Sequence, residues 1–524
     1  MKLEDLKKLY ASGQLSRRDF IRATAIMGIG VGAASKMLGS IAVAQEPTYG
    51  GHFVAGLQGG STTDSLDPTT YASDVPATIG FTFGNRLIEN TPDGGIQGDL
   101  ATSWEGLDGG QRWVFELKQG VEFHNGKPMT AADVVYSLNR HRGEDSTSGA
   151  AGQMEGIVDI RADGDHTIEI LLEGPNADLP FFMSDYHLLI QPEGSVDDGI
   201  GTGPFILEAV DHGVRYNAVR NPNYHVDGRP YVDSFELLVI TDPTARTASL
   251  QTGKVHAINR VPPTDVEFLR LSDNISIENT SGRGHYVFIM HVNTNPFDAP
   301  DVQLALKYAM NRQQMVDTIL QGFGSVGNDH PINGAYPLFE DAVEQRPFDL
   351  EQAAFHYKRS GHSGPVILRT SDAAFAGAVE AAQLYQETCK QAGIDLQILR
   401  EPADGYWSEV WNVQPFCVSY WGGRPTQDQM FSVAYKSDAA WNDTRFFNDE
   451  FDSLLLQARA ELDSAKRADM YTQMQTLLNT QGGVMVPMFN DFLDAISSEV
   501  KGYVRDPAGQ LMNGRVQEFI WLDG

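Results

Sequence analysis

Hydrophobic and polar positions alternate over Trp113-Val114-Phe115-Glu116-Leu117, a run rich in aromatic and β-branched side chains. That pattern predicts a half-buried strand. Asn125-Gly126 follows, a pair suited to the positive φ of a tight turn, and predicts a hairpin tip. Thr130 stands where an N-cap belongs, with Asp133 three residues on as the shorter partner of a capping box. Val134, Val135 and Leu138 give the apolar face of the helix this cap opens. His124 and Asp133 are therefore expected to be scaffold rather than catalytic. Further strands are predicted at Gly50–Leu57, Val366–Thr370, Asp395–Leu399 and Val484–Phe489, with a hairpin over Ile206–Val219. Helical patterns cover Val302–Leu320 and Glu380–Ala392, and another follows Leu455.

The first 44 residues read differently. Ser16-Arg17-Arg18-Asp19-Phe20-Ile21-Arg22 matches the twin-arginine export pattern. Ala23–Ser35 is uncharged and rich in Gly and Ala, too short and too weakly apolar for a permanent span. Ala42-Val43-Ala44 is a small-residue cleavage site, so residues 1–44 are expected to be a signal peptide that ends at Ala44 and engages the Tat machinery through Arg17 and Arg18. No Cys follows the apolar run to take a lipid, and a periplasmic location is expected.

Of 524 residues, about 480 remain after such cleavage, enough for two or three lobes. The net charge is −30, and the signal holds seven Lys or Arg against three Asp or Glu, which leaves the rest near −34. So acidic a surface argues against nucleic acid and anionic lipid as partners. Cys389 and Cys417 lie at unrelated positions, in a helical and a strand pattern, and are expected to be buried thiols rather than a disulfide. The 13 His are scattered without ligand spacing, so neither a protein-built metal site nor a cofactor is expected.

The block from Asp99-Leu100-Ala101-Thr102-Ser103-Trp104-Glu105 through Trp113–Leu138 resembles one shared by bacterial extracellular solute-binding proteins of family 5, the oligopeptide-, dipeptide-, nickel- and opine-binding proteins of ABC transporters. Leu66-Asp67-Pro68, Gly201-Thr202-Gly203-Pro204-Phe205, Arg220-Asn221-Pro222-Asn223-Tyr224, Asn295-Pro296-Phe297 and Phe447–Leu455 extend the likeness over nearly the whole chain. It departs at His225, where the family commonly has Trp, and at Gln303 and Leu304, where an Arg is frequent. The resemblance implies a non-enzymatic, periplasmic-binding-protein-like α/β fold, with two lobes joined by a double crossover hinge and an extra inserted subdomain. Lobe I is expected from residues 45–86, 203–288 and 490–524, the subdomain from 87–202 and lobe II from 289–489. The implied function is capture of a peptide or peptide-like solute by hinge closure, as a monomer, and delivery to ABC permease subunits. A ligand sensor or chaperone on the same scaffold, and a periplasmic hydrolase, are the alternatives.

The resemblance also places a site. In peptide-binding relatives the segment matching Ser419-Tyr420-Trp421-Gly422-Gly423-Arg424 has an Asp for the ligand's ammonium; here Arg424 holds that place, with Asp428 the nearest acid. A guanidinium fork suits a carboxylate, so an acidic, opine-like solute is implied unless Arg424 pairs with Asp428 instead. Trp407, Trp421 and Trp441 are candidate cleft walls or core residues, and Asn442 a polar lining residue. Gln58 and Ser61 lie on the loop after the first strand, where relatives touch ligand; Tyr71 follows. Arg283, His285 and Tyr286 precede the crossover and face either cleft or surface. Gly322-Phe323-Gly324-Ser325-Val326-Gly327 fits a dinucleotide fingerprint on paper, but it follows a helix instead of a strand.

Overall fold

The structure is a computed structural model. It describes residues 46–523 except 93, 144, 145, 403, 404 and 462. Arg17, Arg18 and Ala44 lie outside the described residues. The larger of two units, Gly50–Leu522, holds every helix and strand of the described residues.

An 11-stranded mixed sheet runs through this unit. Its middle is a pair of long antiparallel strands, Ile275–Met290 and Val484–Ser497. At one end residues 275–281 pair with 491–497, and the sheet continues through Ala257–Ile258, His52–Leu57, Ser234–Val239, Arg215–Arg220 and Phe205–Asp211. At the other end Phe416–Trp421 pairs with residues 285–290, followed by Val366–Thr370 and Leu396–Arg400. The register slips between Ser281 and His285. Gly282 permits this: a Cβ there would lie 2.3 Å from the Phe492 ring. The expected junctions at 288/289 and 489/490 fall inside these two strands.

Both strands are longer than their hydrophobic runs predicted. Ser281-Gly282-Arg283-Gly284 and Asn490-Asp491 interrupt the apolar pattern, yet their backbones stay in or beside the ladder. The single helix expected over Val302–Leu320 is two, Pro300–Tyr308 and Arg312–Thr318. Asn311 restarts it, its side chain accepting the Gln314 N–H at 3.1 Å.

A separate four-stranded antiparallel sheet, Ala101–Leu107, Arg112–Leu117, Thr167–Leu172 and Ile157–Ala162, carries the helix Ala131–Asn139. The Thr130 N–H donates to Asp133 at 3.0 Å, as the capping pattern requires. Gly126 turns the hairpin tip with φ +80°. His124 Nε2 meets the Gly203 carbonyl at 3.0 Å, a structural contact.

Buried apolar residues form separate clusters. One draws on residues 287–489, a second on 87–190. Two more, on opposite faces of the remaining sheet, draw on residues from 53 to 275 and from 493 to 520. Cys389 and Cys417 are both free and buried. Gly322–Gly327 leads into the short strand Gly324–Val326 instead of opening a helix, so its backbone has no phosphate-binding geometry. No helix among the described residues is long and apolar enough to cross a membrane.

Candidate functional site

The strand Phe416–Trp421 ends at the Gly422-Gly423 turn. Gly423 has φ +80°, and a Cβ there would lie 2.4 Å from Arg283 Cβ. Only glycine lets this turn lie against the long strand at Arg283, and the turn sets the position of Arg424. The Arg424 N–H donates to the Tyr336 hydroxyl at 3.2 Å, and its Nη1 donates to the Gly423 carbonyl at 2.6 Å. Its guanidinium lies 5.9 Å over the Trp421 ring. Beside it, Arg283 Nε donates to the Ala335 carbonyl at 2.9 Å, with the guanidinium 5.3 Å from the Tyr336 centroid. Burial holds the Arg283 pKa below its ordinary value, against the pull of Tyr336 and Asp506. Neither arginine forms an ion pair with a carboxylate of the described residues.

A second wall comes from the other end of the sheet. Asp74, in the first turn of the helix Asp74–Phe83, accepts from Arg260 Nε at 3.0 Å and from Asn259 Nδ2 at 3.1 Å. Asn259 in turn accepts the Gln58 N–H at 2.9 Å, and Gln58 Oε1 accepts from Arg246 at 3.2 Å. Asp74 raises the Arg260 pKa against burial, and Tyr420 and Tyr286 of the opposite wall add to it. Tyr186, whose pKa burial raises, feels Asp185, Arg424, Tyr420 and Asp74. Electrostatic influence thus reaches from the Arg260–Asp74 pair to Tyr286 and Tyr420, and from Arg424 and Asp74 to Tyr186. Among the described residues no group of three or more His, Cys, Asp or Glu is placed to hold a metal ion.

Residues 95–443 match the family described as bacterial extracellular solute-binding proteins, family 5 Middle. The chain belongs to this family. The dipeptide-binding protein of Escherichia coli K12 is 25% identical over 490 residues, covering 84% of this chain and 89% of its own. Heme-binding protein A of Haemophilus influenzae is 25% identical over 477 residues, covering 81% and 85%. Among solved structures, the periplasmic binding protein DppA of Helicobacter pylori with the peptide STSA superposes with TM-score 0.81 at 20% identity, over 91% of this chain and 99% of that one. AgaA of A. tumefaciens R10 with agropinic acid gives TM-score 0.80 at 21% identity, over 90% and 99%. Both likenesses establish the fold.

Against this family 5 architecture the expected site residues divide. Arg424, Arg283 and Trp421 come together at the Gly-Gly turn, and Gln58 joins the facing wall. Trp407 and Trp441 are 40% and 39% exposed and belong to the same ring cluster as Trp421. Trp421 itself is only 5% exposed, so it supports Arg424 more than it offers an open face. Asp428 is a correction. It is fully buried, and Arg459 Nε and Nη2 hold it at 3.1 and 3.0 Å, so it neither faces a ligand nor pairs with Arg424. Asn442 is a second: its side chain is engaged with the Lys436 and Phe446 carbonyls and the Phe446 N–H, bracing its own turn. Tyr71 is a third, buried with its hydroxyl on the Leu66 carbonyl at 3.1 Å. Ser61 is exposed, bonded to Thr63 within its own loop and packed by the hairpin turn at Gly213. His285 is wholly buried, and burial holds its pKa down at about 4.

The sequence reading missed Asp74, Arg260 and Tyr186. Asp74 looks like any acid opening a helix, and Arg260 owes its placement to a left-handed backbone at φ +50° that no local pattern announces.

Proposed function

We propose that this family 5 protein is the periplasmic solute receptor of an ABC importer and takes a peptide-like solute with an exposed acid group between the two walls. Arg424 carries this reading. In a chain with 69 acidic and 39 basic residues, its guanidinium has no carboxylate partner among the described residues. A planar fork of donors free of intramolecular acid is a ready anchor for a carboxylate. Arg283 adds a second, buried cation beside it. Structural relatives crystallised with the peptide STSA and with agropinic acid are consistent with such a ligand. Tat export and delivery to permease subunits complete the proposal.

The test is a thermal-shift panel on the purified chain, with Ala-Glu, Ala-Gln and agropinic acid, beside mass spectrometry of any co-purified solute. Acidic members should raise the melting temperature with concentration, and Ala-Gln should do so least. Equal stabilisation by Ala-Glu and Ala-Gln rejects the acid preference.

Contacts between residues 87–202 and 289–489 support a closed state. Arg467 Nη2 meets Asp178 at 2.7 Å, the Ala177 N–H donates to the Arg459 carbonyl at 3.0 Å, and Gln429 donates to Gln153 at 3.0 Å. Gln153 continues to Asp185 at 2.7 Å, and His187 links Asp185 to the Tyr71 carbonyl at 2.8 Å. Opening would hydrate Asp178, so removing its partner penalises the closed form alone. Arg467→Met is expected to weaken solute binding about tenfold or more and to enlarge the solute-free chain in X-ray scattering. Unchanged affinity and radius would show that this pair does not act on closure.

A further inference from the structure

Next to the Trp421 indole lies a buried carboxylate that forms no ion pair among the described residues. Asp443 is 1% exposed. Its Oδ2 accepts the indole N–H of Trp411 at 3.0 Å and that of Trp421 at 3.2 Å. Its Oδ1 has no hydrogen-bond partner, and no ion pair to Asp443 forms among the described residues. Around it, Trp411, Trp421 and Trp441 make a triangle with centroids 5.8–6.2 Å apart. Trp407 extends the cluster to Tyr420, 6.0 Å from Trp411 and 5.5 Å from the tyrosine.

A buried acid without a direct ion pair opposes folding, and apolar residues would fill such a core at lower cost. An indole N–H is a donor only, so each of the two rings needs an acceptor if it is to be buried in one orientation. A single oxygen shared by both rings ties their planes together. Trp421 is the last residue of its strand, and its ring lies under the Arg424 guanidinium.

We propose that Asp443 is the positioning residue of the solute site: through the shared indole bonds it fixes the ring on which Arg424 rests. This rests on Arg424 being the solute's anchor. The ionised carboxylate makes both bonds charge-assisted, and protonation weakens them. The groups that face it are Arg445, the Tyr435 phenol and the Cys417 thiol. Burial, opposed by the two indole bonds, pushes the Asp443 pKa up to about 7. The ring cluster is then sensitive to pH near neutrality.

Two arms test this on the full chain. In the first, tryptophan emission of the solute-free protein is followed from pH 5 to 9. The wild type should show a transition centred near 7, and Asp443→Asn, which keeps an acceptor oxygen but cannot ionise, should be flat. A flat wild type, or a transition that survives in Asp443→Asn, overturns the proposal. In the second, affinity for Ala-Glu should fall about tenfold in Asp443→Ala and stay within threefold in Asp443→Asn. A cooperatively folded Asp443→Ala with wild-type affinity overturns it. If that variant does not fold, Trp421→Phe, which keeps a ring without the N–H, should show the same loss, and wild-type affinity there is equally fatal. If Ala-Glu fails to bind the wild type, the acidic-solute reading fails, and the emission arm alone decides the role of Asp443.

Discussion

Arg424→Ala is expected to weaken binding of an acidic solute by about 2–4 kcal/mol, roughly 30- to 1000-fold in dissociation constant. The guanidinium uses Nη1 on the Gly423 carbonyl, while Nε and Nη2 make no hydrogen bond within the described residues. A solute carboxylate seated there gains charge-assisted bonds, and the variant leaves that carboxylate desolvated with no partner. The fold should survive, because the backbone N–H at this position, not the side chain, holds Tyr336. Calorimetric titration with Ala-Glu gives the comparison. Arg424→Lys should fall between wild type and alanine, since an ammonium keeps the charge but loses the fork. An Arg424→Ala variant with the wild-type dissociation constant would remove this residue from the site.

Much of the architecture was legible because local chemistry and global fold agree. Val366–Thr370, an apolar and β-branched run expected as a strand, is one, and its burial alternates along the strand. Thr130 and Asp133 cap the helix that their spacing announced. Arg424 stood out because two glycines before it free the backbone and its side-chain type is unexpected for the segment. Legibility ended where partners are distant in sequence. Asp428 is claimed by Arg459, 31 positions away, and Tyr186 comes within the electrostatic reach of Arg424 only because separate stretches of chain fold together. Asp443 illustrates the limit well. Trp441-Asn442-Asp443-Thr444 reads as a polar turn that could line a cleft, and nothing local reveals that its acid points inward to two indoles from two other elements.

The stability of the loop behind the site depends on Asp329. Its carboxylate is fully buried and accepts Arg312 Nη2 at 2.6 and 2.7 Å, Arg346 Nε at 3.1 Å and the Val486 N–H at 3.3 Å. It thereby joins the helix Arg312–Thr318 to the second long strand, and it precedes the segment whose Ala335 carbonyl and Tyr336 hydroxyl hold Arg283 and Arg424. Asp329→Asn is expected to destabilise the protein by about 3–5 kcal/mol, because Arg312 and Arg346 are then buried without a counter-charge. Arg346→Met should cost less, as Arg312 still neutralises the acid. Urea unfolding should show the loss as a lower midpoint at unchanged slope. The pH dependence has a definite sign. Burial alone would raise the Asp329 pKa, but Arg312, Lys307 and Arg346 outweigh it and hold the pKa below the ordinary value. The folded state thus favours the ionised form, a contribution present in full above the unfolded pKa of about 3.9 and lost as pH falls toward the folded one. The wild type should therefore lose this part of its stability below about pH 4, whereas Asp329→Asn should lack it at every pH. A loss under about 1 kcal/mol at neutral pH would mean that the two arginines find other partners, and that the wall behind Arg424 is braced by packing rather than by charge.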